Sequence, residues 1–285
     1  MDPTPHSQPS AAHAAAGRAS DRDAPPRGMP ARSQFTVALL VRLYRRVVRR
    51  AARAALEGRR WDPERPEAGR ILRSDADAFL EDVWARVAAL LREEDLDRIP
   101  TLGNRHNVFL GALTIAAYHA LVDRGVERRY AMALFADVGW KVYERMLKLP
   151  FFFARLRTGN PQARMDFVLR ALLRFPFSAP GAPGYDVRAW PEPGRFHTHW
   201  TYCAPLGFVK RYIARHGDQG EVEAFYQSWC LYDWPAADLL AGGQAGERGH
   251  YERPHTLSRG DPVCDMCWSA AAGEGGKAHG DHPSG

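Results

Sequence analysis

Four cysteines, Cys203, Cys230, Cys264 and Cys267, are the whole thiol complement of this 285-residue chain, and all fall within 65 residues near its C-terminal end. Each sits among side chains that could activate it. Tyr202 precedes Cys203, Trp229-Cys230 is followed by Asp233, and Arg253, His255, Thr256, Leu257, Gly260, Asp265 and Trp268 surround the last two. A thiolate can attack an electrophilic carbon when a neighbouring cation lowers its pKa, and a carboxylate can instead activate water. Cys264, Cys230 and Cys203 are therefore the candidate nucleophiles, and Asp265 and Asp233 the candidate acid–base groups. Arg253 is the candidate clamp for a substrate carboxylate, because guanidinium binds it bidentately. His255 and Thr256, just after it, complete the candidate binding set.

Each of these residues also has a plainer reading. Cys203 and Cys230 lie in aromatic, apolar surroundings, where free cysteine commonly acts as a small buried hydrophobe. Asp233 precedes Trp234-Pro235 and could cap a helix, although helical spacing from Cys230 would put both on one face. Arg253 could be half of an ion pair across a hairpin. Cys264, behind a turn and beside Asp265, has the better claim to function.

A metal site competes with these readings. Cys264-x-x-Cys267 is half of a zinc motif, but the second half is missing, since Cys203 and Cys230 stand far apart. His197 and His199 on a strand would present two imidazoles on one face. A site drawn from Cys203, Cys230, Cys264, Cys267, His197 and His199 is kept as the alternative to a chain without cofactor. A thioredoxin-like role is weaker, because that motif should open a helix after a strand.

The segment from Gly184 to Trp268 resembles the L-2-amino-thiazoline-4-carboxylic acid hydrolase family. The family pattern is a strand ending in Cys, a helix, Cys-x-x-Asp, then Arg-x-x-Thr-Leu-x-x-Gly and Cys-Asp. Here those elements are Cys203, Cys230 with Asp233, Arg253 with Thr256, Leu257 and Gly260, and Cys264 with Asp265. Met266 replaces the usual aromatic, and Cys267 is an addition. The resemblance implies a hydrolase that opens a thiazoline or cyclic amidine ring of a small carboxylate by C–N bond hydrolysis. Two other classes stay open. Gly-x-x-x-Cys-Asp on a hairpin also resembles the 4-vinyl-reductase ligand-binding domain, a non-catalytic small-molecule-binding or sensory module, and the third class is a metal-binding regulatory protein.

The elements that must position these residues can be traced along the chain. Residues 1–33 are Ala-, Pro-, Ser-, Arg- and Asp-rich without apolar periodicity, and read as a disordered leader. Over 34–60, Leu40, Leu43, Tyr44, Val47, Val48 and Ala51 recur at helical spacing opposite Arg42, Arg45, Arg46, Arg49 and Arg53, a basic amphipathic helix. Residues 61–180 read as a helical region: a helix capped by Ser74 or Asp75, a buried helix over Asn104–Val122, another from Val126 to Leu147 stopping at Pro150, and shorter ones at Phe151–Arg155 and Met165–Phe175. In 181–269 we expect a strand at Arg195–Tyr202, helices at Pro205–His216 and Glu221–Leu240, and a hairpin of Gly249–Leu257 with Val263–Ser269. Residues 270–285 read as a disordered tail. The expected fold is α+β, helix-dominated, with a small antiparallel sheet in the C-terminal third.

Charge narrows the partners. The chain carries a net +6, but the eight arginines against Glu57 within residues 42–60 supply a local +7. Those arginines are not interleaved with stacking aromatics, which argues against nucleic acid. The helix over 34–56 could rest on an anionic membrane or bind an acidic partner; the favoured reading packs its apolar face on the domain and solvates the rest. The first residues lack a secretory signal, so a cytoplasmic chain with reduced thiols is expected.

Overall fold

The computed structural model describes residues 31–242 and 248–271. The expected leader and tail lie outside them, apart from residues 31–33 and 270–271, which belong to a helix and a strand.

Helix α1 (Ala31–Leu56) contains neither glycine nor proline, so nothing interrupts its backbone hydrogen bonds. It packs Val37, Leu40, Val48, Ala51 and Ala55 on the body, whereas Leu43, expected on that face, is exposed. Arg45 and Arg53 reach Glu81 and Asp77 of α2 (Arg73–Leu90), each at 2.5 Å. This second helix begins just before its expected cap. Leu72 is the N-cap residue, and Asp75 in the first turn accepts its amide at 2.8 Å.

Helix α3 (Leu102–Val122) is buried along almost its whole length and forms the axis of the helical half. Its start is fixed by Thr101, whose hydroxyl accepts the Asn104 amide. Helix α4 (Arg128–Arg157) is capped by Glu127, which accepts from the Arg129 and Tyr130 amides. It does not stop at Pro150. The missing proline N–H forfeits one helical bond, but Leu147, Phe151 and Ala154 are buried around it and their packing carries the helix through. The separate helix expected at Phe151–Arg155 is therefore the last part of α4. Helix α5 (Pro161–Arg174) starts earlier than its apolar residues suggested, because Pro161 takes the first helical position and Asn160 caps it.

Strands β1 (Asp186–Glu192), β2 (Arg195–Tyr202), β3 (Arg248–Glu252) and β4 (Cys264–Ala271) form one antiparallel sheet in the order β1-β2-β4-β3. β1 was not expected from the sequence; it lies at an edge, where Pro191 is tolerated. Between β2 and β3 run α6 (Ala204–His216), α7 (Glu221–Phe225) and α8 (Asp233–Ala241). The single helix expected over Glu221–Leu240 is thus broken: Tyr226–Cys230 forms a π-helical turn, and Leu231-Tyr232 turns the chain into α8. The fold is α+β and helix-dominated, with its sheet in the C-terminal third.

α8 and β3 pack unusually close. A Cβ on Gly249 would lie 2.0 Å from the Ala237 carbonyl oxygen, a backbone atom that cannot swing aside. Gly249→Ala should therefore push β3 off α8 and lower stability by about 1–3 kcal/mol, read as a fall in the thermal unfolding midpoint. A midpoint equal to that of wild type would show that this contact does not set the α8–β3 spacing.

Candidate functional site

Strand periodicity determines which residues reach the interior. In the β2–β4 ladder, Trp200 pairs with Cys264, Thr198 with Met266 and Phe196 with Trp268. Trp200, Thr198, Cys264, Met266 and Trp268 line a cavity of about 130 Å³ closed on the other side by α3, α4, α5 and the α7–α8 segment. A space of that size is slightly smaller than an apolar cavity known to take up one benzene molecule. Most of its wall is apolar. Asn107 of α3, Tyr143 of α4 and Tyr185, just before β1, add polar atoms.

Cys203, Cys230, Cys264, Asp233 and Arg253 all reach this wall. Cys203 follows β2 and is the N-cap residue of α6. Cys230 closes the π turn, whose wider backbone loop also lets Trp229 Nε1 donate to Thr114 Oγ1 at 2.7 Å. Asp233 opens α8, and Arg253 follows β3. Asp233 and Arg253 are the single carboxylate and the single cation among the lining residues.

Two thiols share one hydrogen-bonded chain. Cys230 Sγ lies 3.3 Å from Ser258 Oγ, which is 3.3 Å from Thr256 Oγ1, itself 3.4 Å from Cys264 Sγ. The Leu257 amide also donates to Cys264 Sγ at 3.2 Å. Thr256 therefore acts behind Cys264 and does not line the cavity. Burial pushes the Cys230 thiol up to about 12, against a smaller opposing effect of the Ser258 hydrogen bond, and Cys203 well above its usual value. Burial raises Cys264 too. The three thiols are thus neutral in the protein as described and need a base to react.

Asp233 is the carboxylate that lines the cavity with them. Burial raises its carboxyl to about 6, outweighing the Arg253 charge and the Tyr251 hydroxyl, which donates to Oδ2 at 3.1 Å. Arg253 Nη1 approaches the same oxygen at 3.5 Å, and its guanidinium carbon lies 4.8 Å above the Trp234 ring. The Arg253 side chain is only 1% exposed, yet its Nε has no hydrogen-bond partner among the described residues. Trp200 Nε1, Trp268 Nε1 and Thr198 Oγ1 on the same wall are likewise buried without a partner.

Asp265 and His255 stand elsewhere. Adjacent strand residues face opposite sides, so Asp265 turns away from the cavity that Cys264 enters. Both Asp265 oxygens are taken up by His255 of the exposed loop after β3, one by its amide and one by Nδ1, each at 2.7 Å. The pair is a loop tie; the hydrogen bond to Asp265 raises the pKa of His255. Cys267 shares the outer face with Asp265, across from His197, which stacks on Trp190. Among the described residues no group of three or more His, Cys, Asp or Glu side chains could hold a metal ion, so the site considered from Cys203, Cys230, Cys264, Cys267, His197 and His199 does not assemble. The lining residues Asn107, Tyr143 and Tyr185 were not among the sequence candidates. The polar run Asn104, Arg105, His106 and Asn107 in a helix that continues almost wholly apolar was the signal available for the first of them.

Comparison of the chain with protein-family models, with curated proteins and with solved structures gives no match.

Proposed function

We propose that the cavity binds a small organic carboxylate at Arg253 and opens a ring bond of it by hydrolysis, the substrate being a thiazoline or cyclic amidine related to L-2-amino-thiazoline-4-carboxylate. The observation that carries this reading is the buried Arg253 guanidinium with its unpartnered Nε, on one wall with Asp233 and three thiols. Buried donors without partners are costly, and a carboxylate supplies the acceptors they lack. The Trp200 and Trp268 indole N–H groups add to the same demand.

The chemistry follows from the wall. The substrate carboxylate meets Arg253, and the flat ring lies against the aromatic and apolar lining. Asp233, ionised above its pKa of about 6, takes a proton from water as the water oxygen bonds to the amidine carbon. That proton passes to the ring nitrogen, and the second proton of the water, now on the hydroxyl of the tetrahedral carbon, follows it through Asp233 as the carbonyl forms and the C–N bond breaks. In the thiol variant Cys230 or Cys264 bonds to that carbon and its proton goes to the ring nitrogen; water then bonds to the same carbon, the C–S bond to the cysteine breaks, and a water proton restores the thiol. The balance needs only water.

The test is consumption of aminothiazoline carboxylate, and of cyclic amidine acids related to it, by the purified chain. Asp233→Asn should lower kcat by about 10²–10⁴-fold. Cys230→Ala and Cys264→Ala separate the thiol route from the water route, and Asp265→Asn should leave the rate intact. The burial of all three thiols in neutral form favours a second reading, a ligand-binding module. A saturable carboxylate titration that yields no product across the panel would favour it and sink the hydrolase.

A further inference from the structure

Helix α1 carries two apolar faces, of which packing on the body explains one. Phe35, Leu39 and Leu43, spaced four apart, form a second stripe that is 71%, 41% and 60% exposed. On α4, Leu149, Phe152, Phe153 and Leu156 fall at i, i+3, i+4 and i+7 and are 53–72% exposed. The two helices run antiparallel, with Tyr44 Oη donating to Met146 Sδ at 3.4 Å and Arg59 meeting Asp137 at 2.6 Å. Both stripes therefore extend toward the same end of the pair, over the same stretch of its length. So many large exposed apolar side chains at one end of a helix pair mark an interaction site.

The charges beside the stripes are also uncommitted. Arg45, Arg49 and Arg53, turned toward α2, pair with Glu81 or Asp77. Arg42, Arg46 and Arg50, one turn apart on the exposed side of α1, have no carboxylate within ion-pair distance among the described residues, and neither do Arg145 and Arg155 beside the α4 stripe.

We propose that this face lies on an anionic membrane surface, with the phenylalanines and leucines entering the interface and the unpaired arginines meeting lipid phosphates. Charge decides between the occupants. In a two-fold pair of chains these arginines would crowd against their own copies, which opposes association. Residues 1–30 contain no Leu, Ile, Val, Phe, Tyr or Trp, so that segment brings little apolar surface to cover the stripes. No helix among the described residues is long and apolar enough to cross a membrane, so the contact is interfacial.

The experiment is co-sedimentation of the full chain with vesicles of phosphatidylcholine alone and with vesicles of equal parts phosphatidylcholine and phosphatidylglycerol. Wild type should bind the mixed vesicles, ignore the zwitterionic ones and dissociate in high salt. Arg42→Gln/Arg46→Gln/Arg50→Gln should weaken partition on the order of a hundredfold. Phe152→Ser/Leu156→Ser should weaken it as well, which charge attraction alone would not show. Circular dichroism of each variant checks its fold, and the salt arm needs no variant. Equal binding to the two vesicle types, or binding undiminished in the arginine variant, overturns the proposal. So does self-association without lipid that Phe152→Ser/Leu156→Ser abolishes, since the face would then belong to a second copy.

Discussion

Arg253→Ala should destabilise the fold by about 3–5 kcal/mol, the usual loss when one partner of a buried ion pair is removed. The guanidinium is 1% exposed and stacks over Trp234, so alanine removes both a countercharge and an aromatic contact. What remains is Asp233 in an apolar wall with only the Tyr251 hydroxyl beside it. Because Asp233 can take up a proton once its countercharge is gone, the loss should fall toward the lower end of the range. Urea unfolding at neutral pH measures it. Arg253→Lys keeps the charge without the planar group, and should recover part of the stability but not carboxylate binding. In Arg253→Ala/Asp233→Asn no buried charge is left unpaired, so the double variant should be more stable than the two single losses added together. Wild-type unfolding of Arg253→Ala would show that the guanidinium is not the countercharge of the site.

The fold was legible where local pattern and tertiary role coincide. β2 was readable to its bounds because Phe196, Thr198 and Trp200 alternate with residues on the outer face. β1 was not, because Pro191 and the Pro193-Gly194 turn read as loop, and only its edge position in the finished sheet makes a proline acceptable there. Pro150 posed the same difficulty for α4: burial on both sides of the proline, a tertiary fact, keeps the helix going. The apolar spacing over 221–240 could not reveal the π turn, since one widened turn followed by a short helix leaves much the same pattern as one long helix.

The site was legible as a window rather than as a constellation. Cys203, Cys230, Asp233, Arg253 and Cys264 come from different elements of that window, and the cavity gathers them. Asp265 is instructive because strand alternation alone argues against it: once Cys264 is given to the interior, its neighbour belongs to the other face. The wall supplied by α3 and α4 was beyond reach, because Asn107 and Tyr143 lie far from the window in sequence and meet it only through helix packing.

The pH dependence of stability should carry a signature of Asp233. Its folded pKa of about 6 stands above the ordinary value of 3.8, because burial penalises the carboxylate more than Arg253 favours it. Between those values the folded protein holds a proton that the unfolded chain has released. Stability therefore falls as pH rises from about 4 to about 6, and the loss stays in place at higher pH. The interval is worth about 3 kcal/mol at 1.36 kcal/mol per pH unit. Asp233→Asn has no proton to lose, so the wild-type stability measured against it should decline over this window and then level off. Referring wild type to the variant removes the titrations of every other carboxylate from the comparison. Denaturation midpoints of the two proteins from about pH 4 to pH 8 are the measurement, and parallel curves would mean that Asp233 titrates normally. The rate should report the same group in the opposite sense. If Asp233 is the base, kcat/KM rises through its pKa while stability has already fallen, so the ionisation that costs the fold is the one that arms the site.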